Sequence, residues 1–206
     1  MIGREKYLDQ TEVARLRTSA QDHAFRCRAS RAVGGMVDWM VVDLALSTGL
    51  RVSEMVRITF GDVDLDRKCI RVTRSKKRKV PKPEWLAVPD DLIVHLREYI
   101  FWCRVTRRPC DPADNLIYGQ RGPMEIRGFQ KAWGRAIRRA KIVPCGIHAA
   151  RHTLATHLLR VSKNLRMVQH QLGHASPVIT ANMYAHVQFD ELSAALSSAY
   201  KNVQNL

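Results

Sequence analysis

The sequence predicts an α+β fold that is mostly α-helical, with one small antiparallel β-sheet or hairpin. Two observations support this fold class. Apolar residues recur at helical spacing through most of the chain, and one alternating segment, residues 69–73, is followed by a basic loop and a second extended segment. With 206 residues, the chain is long enough for one sizeable core. We therefore predict a single domain over residues 1–206.

The first part of the chain predicts three helices. Thr11 can cap a helix that includes residues 9–20. Residues 36–50 are apolar around nearly the whole helical circumference, which is typical of a central helix, and Gly49 is placed to end it. The segment RVSEMVRI, residues 51–58, predicts a short helix after this turn.

A β-hairpin is predicted next. Ile70 and Val72 lie on one face of the alternating strand. Residues 75–83, SKKRKVPKP, would form the loop, and residues 84–89, EWLAVP, the returning strand. The segment NLIYG, residues 115–119, is a candidate for a further short strand.

Helices predominate in the second half. Pro89 and two acidic residues begin a helix over residues 89–104. A stripe of four apolar residues marks the buried face of the next helix: Phe129, Trp133, Ile137 and Ala140. Three more segments have helical patterns: residues 147–162, residues 165–173 and, after a cap at Ser176 and Pro177, residues 178–187.

The chain is strongly basic. Lys and Arg number 34 against 19 acidic residues, which gives a net charge of +15 and favours a polyanion as partner. Residues 67–82 contain nine basic residues and residues 127–141 contain six, with no acidic residue in either segment. Taken alone, each run is equally compatible with a solvated surface. Charge alone does not separate DNA from RNA or from an acidic protein.

Composition argues against several other classes of protein. No apolar run approaches the roughly 18 residues that a membrane span needs, and the N-terminal segment has no apolar signal core. The five cysteines are scattered and never in CxxC spacing, which argues against a disulfide framework and a cysteine zinc site. We expect a cytoplasmic protein without a membrane partner.

A set of polar residues on and beside these helices has the composition of an anion site with a nucleophile. Arg51 follows the turn at the end of the central helix. His148 and Arg151 lie three residues apart, on one helix face. His174 follows a later helix, and Tyr184 lies on the next one.

These residue types fit chemistry at a phosphodiester. A guanidinium presents a planar fork of donors that matches two phosphate oxygens. Two of them, from Arg51 and Arg151, can neutralise the phosphodiester as its phosphorus becomes five-coordinate. A tyrosine with a pKa of about 10 needs a base or nearby cations to act as a nucleophile at neutral pH. The two arginines and a histidine can supply that help to Tyr184.

Taken singly, each of these residues also has a structural interpretation. Arg51 alone is more typical of a surface or C-cap position, and Tyr184 alone of a half-buried core tyrosine. His148 and His152 have the spacing of a zinc-binding pair, but the segment HAARH lacks the glutamate of HExxH, so we expect no metal.

Three segments together resemble the signature segments of the tyrosine recombinases, also called the phage integrase family. They are STGLRVSEMVRI at residues 47–58, HAARHTLATHLL at residues 148–159 and LGHASPVITANMYAHV at residues 172–187. The resemblance covers about residues 8–190. It implies the catalytic-domain fold of these DNA breaking-rejoining enzymes and a site-specific recombinase or integrase activity.

The resemblance implies a role for each residue of the set. Arg51 and Arg151 look like the two arginines that grip the scissile phosphate. His148 looks like the histidine of the HxxR motif, and His174 like the histidine that hydrogen-bonds the phosphate. Tyr184 looks like the nucleophile that forms a 3′-phosphotyrosine with DNA, in a reaction that needs neither metal nor ATP, so we expect no cofactor.

The family also has a supporting acid and a lysine on a β-hairpin that acts as general acid toward the leaving 5′-hydroxyl. Glu54 matches the acid. Lys76 is our assignment for the lysine, from its distance past the strand, and Lys77 or Lys79 remain alternatives. The residues expected to hold the DNA backbone are Arg71, Arg74, Lys77, Arg78, Lys79, Lys131, Arg135, Arg138 and Arg139.

The resemblance sets expectations about domain organisation as well. Only about 30 residues precede the central helix, so we expect no separate N-terminal core-binding domain. Residues 1–30 would be an N-terminal extension with the first helix, and the chain would be a naturally short member or an isolated catalytic domain. Residues 187–206 would form a C-terminal helix that packs on its own core or is exchanged between protomers.

The expected partners are double-stranded DNA, further copies of the chain in a homo-oligomer, as a tetramer on DNA, and accessory DNA-bending proteins. We expect the protein to be associated with the nucleoid. Two other functions stay open: a type IB topoisomerase-like relaxing enzyme and a catalytically silent DNA-binding protein of the same fold. An RNA-binding protein is a third, although no RNP-like or KH pattern is present.

Overall fold

The structure, a computed structural model, describes residues 7–29, 32–74 and 83–173. Within these ranges the protein is mostly helical, with one small sheet, as the sequence predicts. In chain order the elements are α1 (Gln10–Ala29), α2 (Gly34–Thr48), α3 (Val52–Met55), a 3₁₀ turn (Phe60–Asp62), β1 (Val63–Asp64), β2 (Cys69–Thr73), β3 (Pro83–Ala87), α4 (Asp90–Val105), α5 (Ile126–Arg139), α6 (His148–Ser162) and α7 (Leu165–Leu172).

The chain forms two compact units, residues 1–154 and residues 155–206. The division falls inside α6, so the first two turns of this helix belong to the first unit. The first unit also contains α1 to α5 and the sheet. In the second unit, the described residues are the rest of α6 and α7. The single domain that the sequence predicts stays a prediction.

Helix α2 is the centre of the first unit. It packs against α1, α4 and α5, and nearly all of its residues are buried. The predicted central helix is therefore confirmed. Gly49 ends the helix with φ at 62°, a left-handed conformation that favours glycine, and its amide donates to the carbonyl of Ala45 at 3.0 Å.

The sheet is antiparallel in the order β1, β2, β3. Ile70 of β2 pairs with Leu86 of β3, and both are buried together with Val72. On the opposite face, Arg71 pairs with Trp85, which is half exposed. The alternation along residues 69–73 thus predicted both the strand and its buried face.

The short strand predicted for residues 115–119 does not form. Instead, Asn115 makes an isolated bridge with Thr59, and Tyr118 makes another with Pro123. The chain reverses directly after Tyr118. The extended segment is therefore too short to support a ladder of hydrogen bonds.

The predicted apolar face of α5 is confirmed. Phe129, Trp133 and Ile137 are buried, and so is Ala140 at the helix end. The indole Nε1 of Trp133 donates to the carbonyl of Cys145 at 3.0 Å, which satisfies the polar atom of this core side chain.

The remaining helices form where the sequence predicts them, but α1 and α3 have different bounds. Helix α1 begins at Gln10, so Thr11 is not its cap, and it continues to Ala29 instead of ending near residue 20. Helix α3 covers only Val52–Met55 of the predicted residues 51–58. Helix α7 ends, as predicted, at Gly173, where φ is 61°. The helices predicted for residues 178–187 and residues 187–206 lie outside the described residues. Among the helices that the structure describes, none is long and apolar enough to cross a membrane.

Candidate active site

The turn after α2 places Arg51. The left-handed Gly49 redirects the chain, and Arg51 then adopts an extended conformation, with φ −69° and ψ 148°, as the residue before α3. A residue at this position has its side chain beside the first turn of the next helix. The turn chemistry of the sequence therefore determines where this guanidinium lies.

Glu54 fixes the Arg51 side chain from α3. Its carboxylate is fully buried and accepts two hydrogen bonds from Arg51, one from the backbone amide at 2.9 Å and one from Nη1 at 3.1 Å. The first bond satisfies an amide at the start of α3. The second orients the guanidinium. The Arg51 side chain is 24% exposed. The supporting role that the sequence predicts for Glu54 stays a prediction.

Arg151 reaches the same turn from α6. Its Nη1 donates to the carbonyl of Gly49 at 2.8 Å, and the residue is 7% exposed. Burial, with a further contribution from the positive charges of Arg51 and Arg74, lowers the pKa of Arg151 to about 10, although the Glu54 carboxylate acts in the opposite direction. Arg151 is still protonated at neutral pH. The two arginines that the motifs predicted are thus brought to one turn, although they are far apart in the sequence.

Arg74 joins them from the end of β2. Its Nη1 lies 3.6 Å from Oε2 of Glu54, and its Nε lies 3.4 Å from Oε2 of Glu84 on β3. The Arg74 side chain is only 10% exposed. We call Arg51, Arg74, Arg151 and Glu54 the arginine cluster. Its three guanidiniums face one fully buried carboxylate and the partly exposed Glu84, so positive charge is in excess.

The sequence analysis assigned Arg74 to the DNA-binding surface and did not place it beside Glu54. A signal was present in the sequence. Ile70 and Val72 face the core, and continuing the period of two makes Arg74 the next residue on that face. An arginine in that register needs an acidic partner, because burying a charge without one is costly.

His148 is the first residue of α6, one turn before Arg151. It is exposed, so its ring is accessible to a ligand. The alternative role for His148 and His152 was a zinc pair. In the described parts of the chain, no group of three His, Cys, Asp or Glu side chains is arranged to hold a metal ion.

Six predicted site residues lie outside the described residues: Lys76, Lys77, Arg78, Lys79, His174 and Tyr184. Their assignments stay predictions. Arg71 is half exposed on the sheet, and its Nε donates to Oδ1 of Asp62 at 2.7 Å. Lys131 and Arg138 are exposed on α5.

Arg135 and Arg139 of α5 have an intramolecular partner that the sequence analysis missed. Asp38 of α2 is 1% exposed and binds both guanidiniums. Arg135 donates from Nε at 3.0 Å and from Nη2 at 2.5 Å, and Arg139 donates from Nη2. The available signal was a carboxylate in an otherwise apolar helix, which requires a buried cation or a hydrogen-bond donor.

The phage integrase family matches residues 6–191 of this chain. The chain belongs to that family. Among curated relatives, it is 32% identical over 164 residues to the tyrosine recombinase XerC of Corynebacterium efficiens, a match that covers 79% of this chain and 50% of the relative. It is 31% identical over 194 residues to tyrosine recombinase XerC of Mycobacterium tuberculosis, covering 87% of this chain and 62% of the relative.

Solved structures of the family have the same fold as this integrase-family chain. The XerA recombinase superposes with a TM-score of 0.71 at 24% identity, covering 94% of this chain and 63% of that one. The XerH site-specific recombinase bound to its difH substrate superposes with a TM-score of 0.68 at 22% identity, covering 91% and 52%. The chain therefore spans about half to two thirds of the length of the proteins that it matches.

Proposed function

We propose that this integrase-family chain is the catalytic part of a site-specific DNA recombinase that cleaves and rejoins strands through a 3′-phosphotyrosine at Tyr184. One observation carries the proposal: Arg51 and Arg151 meet at a single turn, where buried Glu54 and the Gly49 carbonyl orient them. Two prepositioned guanidiniums with restricted exposure are the arrangement that a reacting phosphodiester requires.

The proposed reaction is an in-line displacement at phosphorus. The phenolate oxygen of Tyr184 attacks the scissile phosphate, the bond from phosphorus to the 5′-oxygen breaks, and the leaving oxygen takes a proton from Lys76 or a neighbouring hairpin lysine. The phosphorus then carries a tyrosyl ester in place of the 5′-oxygen. Attack by a 5′-hydroxyl of a second strand reverses these steps and joins the strands.

The arginines act on the charge that develops during this displacement. Arg51 and Arg151 donate to the non-bridging oxygens, which carry most of the negative charge when the phosphorus is five-coordinate. His148, one turn from Arg151, and His174 add donors to the same oxygens. Because the tyrosyl ester retains the energy of the phosphodiester, rejoining requires no ATP.

Partners follow from the same proposal. The substrate is double-stranded DNA, and the active assembly is a homo-oligomer on DNA, with a tetramer for complete strand exchange. The solved XerH site-specific recombinase bound to difH and the lambda integrase dimer bound to a COC′ core site support this assignment, since these proteins have the fold of this chain. We also propose that accessory DNA-bending proteins take part and that the protein is associated with the nucleoid.

A trapping assay tests the function. Nicked duplexes from DNA flanking the gene are incubated with the protein in EDTA, and denatured products are resolved by mass. We expect a DNA adduct on Tyr184 that disappears in Tyr184→Phe, while binding is retained. DNA binding without any adduct from the wild-type chain would instead indicate the catalytically silent DNA-binding protein. Relaxation of plasmids without a defined site would indicate the topoisomerase-like enzyme.

A further inference from the structure

A large cavity lies in the first unit, at the start of α2. Its volume is about 1210 Å³. The end of α1, the start of α2, the loop over residues 118–125 and one face of α5 line it. We call it the basic cavity.

The basic cavity has an excess of positive charge. Two acidic side chains, Asp38 and Glu125, line it. Five cationic side chains line it as well: Arg121, Lys131, Arg135, Arg138 and Arg139. Of these cations, only Arg135 and Arg139 form ion pairs within the described ranges, both with Asp38. The remaining three are exposed and face the solvent that fills the cavity.

Asp38 lines the cavity, but its single negative charge does not neutralise the positive charge of the lining. A single carboxylate holds two guanidiniums in fixed positions, so one positive charge is left over at this pair alone. Nη1 of Arg139 has no hydrogen-bond partner among the described residues, but it is shielded from solvent and a ligand in the cavity does not reach it.

The first turn of α2 adds backbone donors. Val33, the residue before the helix, makes no side-chain cap, and the first turn contains no acidic residue. The space beside Gly34 is open, since a Cβ built there would meet no atom within 4 Å. The amides at the start of a 15-residue helix carry partial positive charge and favour an anion.

The pKa of His23 on α1 is affected by the charges that line the cavity. Burial lowers the pKa of its imidazole, and the positive charge of Arg139 lowers it further, with Asp38 acting in the opposite direction. The ring is therefore neutral at pH 7 and adds no charge to the wall. The cations of α5 act across the cavity on a group of α1, as they would act on a ligand there.

We propose that the basic cavity is a phosphate-binding site separate from the arginine cluster. Lys131 and Arg138 would donate to the phosphate oxygens, together with the first amides of α2. Asp38 lies eleven residues before Gly49 on α2, which corresponds to about 16 Å along the helix axis. One phosphate group therefore cannot occupy both sites.

The phosphate has two possible sources. It can belong to a backbone segment of DNA away from the scissile position, or to a free nucleotide or other small phosphate ester. The cavity itself does not depend on cleavage by Tyr184. Only the assignment of the phosphate to DNA rests on the proposed function.

The first test measures binding of inorganic pyrophosphate by calorimetry. The variant Lys131→Gln, Arg138→Gln removes two cavity cations and spares Asp38 with its two arginines. We expect it to bind pyrophosphate at least about tenfold more weakly than the wild type. The matched control is Arg15→Gln, Arg104→Gln, which removes two exposed charges from α1 and α4 outside the cavity. An equal loss in both variants would overturn the proposal, as would no loss in the first.

A second variant tests the helix start. Gly34→Asp places a carboxylate beside the α2 amides, in space that is free of other atoms. We expect it to remove the pyrophosphate binding that depends on Lys131 and Arg138 and to raise the Tm, because the carboxylate takes the place of the ligand at the helix start. Unchanged pyrophosphate binding in this variant would exclude the helix start from the site.

Competition with a short duplex identifies the source of the phosphate. If duplex DNA displaces the pyrophosphate whose binding depends on Lys131 and Arg138, the cavity binds the DNA backbone. If both bind together, the cavity takes a small phosphate ester. The Tyr184→Phe variant should give the same pyrophosphate affinity as the wild type, so a chain that fails to cleave DNA still permits this test.

Discussion

At each end of α2, a buried carboxylate binds two arginine side chains, and the two clusters differ in their surroundings. At the C-terminal end, buried Glu54 orients Arg51 and Arg74, and at the N-terminal end, buried Asp38 holds Arg135 and Arg139. One arginine of each pair differs in exposure. The Arg51 and Arg139 side chains are each 24% exposed, whereas Arg74 is 10% and Arg135 43% exposed.

That difference in exposure determines what each cluster can do. Burial lowers the pKa of Arg151 in the arginine cluster, and the nearby charges of Arg51 and Arg74 add to this because charges shielded from water act strongly on each other. Such a site can stabilise charge that develops during a reaction. Arginines that remain in contact with water are screened, so the Asp38 cluster is suited to holding a ligand of fixed charge.

Replacement of Arg151 gives the largest expected effect. Arg151→Ala removes a buried guanidinium that we propose donates to the phosphate, and we expect the rate of adduct formation to fall by about 10²–10³-fold or more. Single-turnover trapping with saturating protein measures this rate. Arg151→Lys is the control, since it retains the charge and loses the planar fork. Restoration of full activity by lysine would show that charge alone is sufficient and would contradict the role of the fork.

Sequence motifs predicted the arginines at the C-terminal end of α2, but no motif predicted the cluster around Asp38 at its N-terminal end. Arg51 and Arg151 lie in recognisable segments, and the turn at Gly49 explains why they meet. The contact of Arg135 with Asp38 depends instead on how α5 packs across α2, which no local pattern specifies. The periodicity of α5 predicted its core stripe correctly, yet it could not specify which buried residue the charged face would meet.

Asp38→Asn has the second-largest expected effect, and we expect it to lower the free energy of unfolding without slowing adduct formation. The change leaves two guanidiniums beside a neutral amide. Losing one partner of a buried ion pair costs about 3–5 kcal/mol, and since Arg135 and Arg139 are partly exposed we expect roughly 2–3 kcal/mol here. Urea unfolding measures the loss. Adduct formation in the folded fraction should stay near the wild-type rate, and a large loss of that rate would connect the two ends of α2.

Glu54→Gln should act on both properties by smaller amounts. The amide retains an acceptor for the Arg51 backbone amide but loses the charge that balances three guanidiniums. We expect a loss of about 1–2 kcal/mol in the free energy of unfolding and about a tenfold slower adduct formation. Glu84→Gln is the comparison, because Glu84 contacts Arg74 from β3 and is more exposed than Glu54. Equal effects of the two changes would contradict the central position of Glu54.

The pH dependence of stability gives the smallest effect and tests the desolvation of Arg151 directly. Because the pKa of Arg151 in the folded chain is about 10, well below the ordinary value of an arginine, the unfolded chain holds more protons than the folded chain in the pH window above about 10. Stability from this group therefore rises with pH in that window, as the cost of burying the charged form is relieved. Arg151→Met lacks the titrating group and supplies the reference.

We expect the wild type to gain about 1 kcal/mol relative to Arg151→Met between pH 9 and pH 11, measured by urea unfolding at each pH. Other groups titrate in this range, but they do so in both chains and cancel in the difference. A difference that stays constant would show that Arg151 is not desolvated by the turn. The arginine cluster would then resemble the partly exposed arginines, Arg135 and Arg139, at the other end of α2. It would lose the shielding from water that favours stabilisation of developing charge.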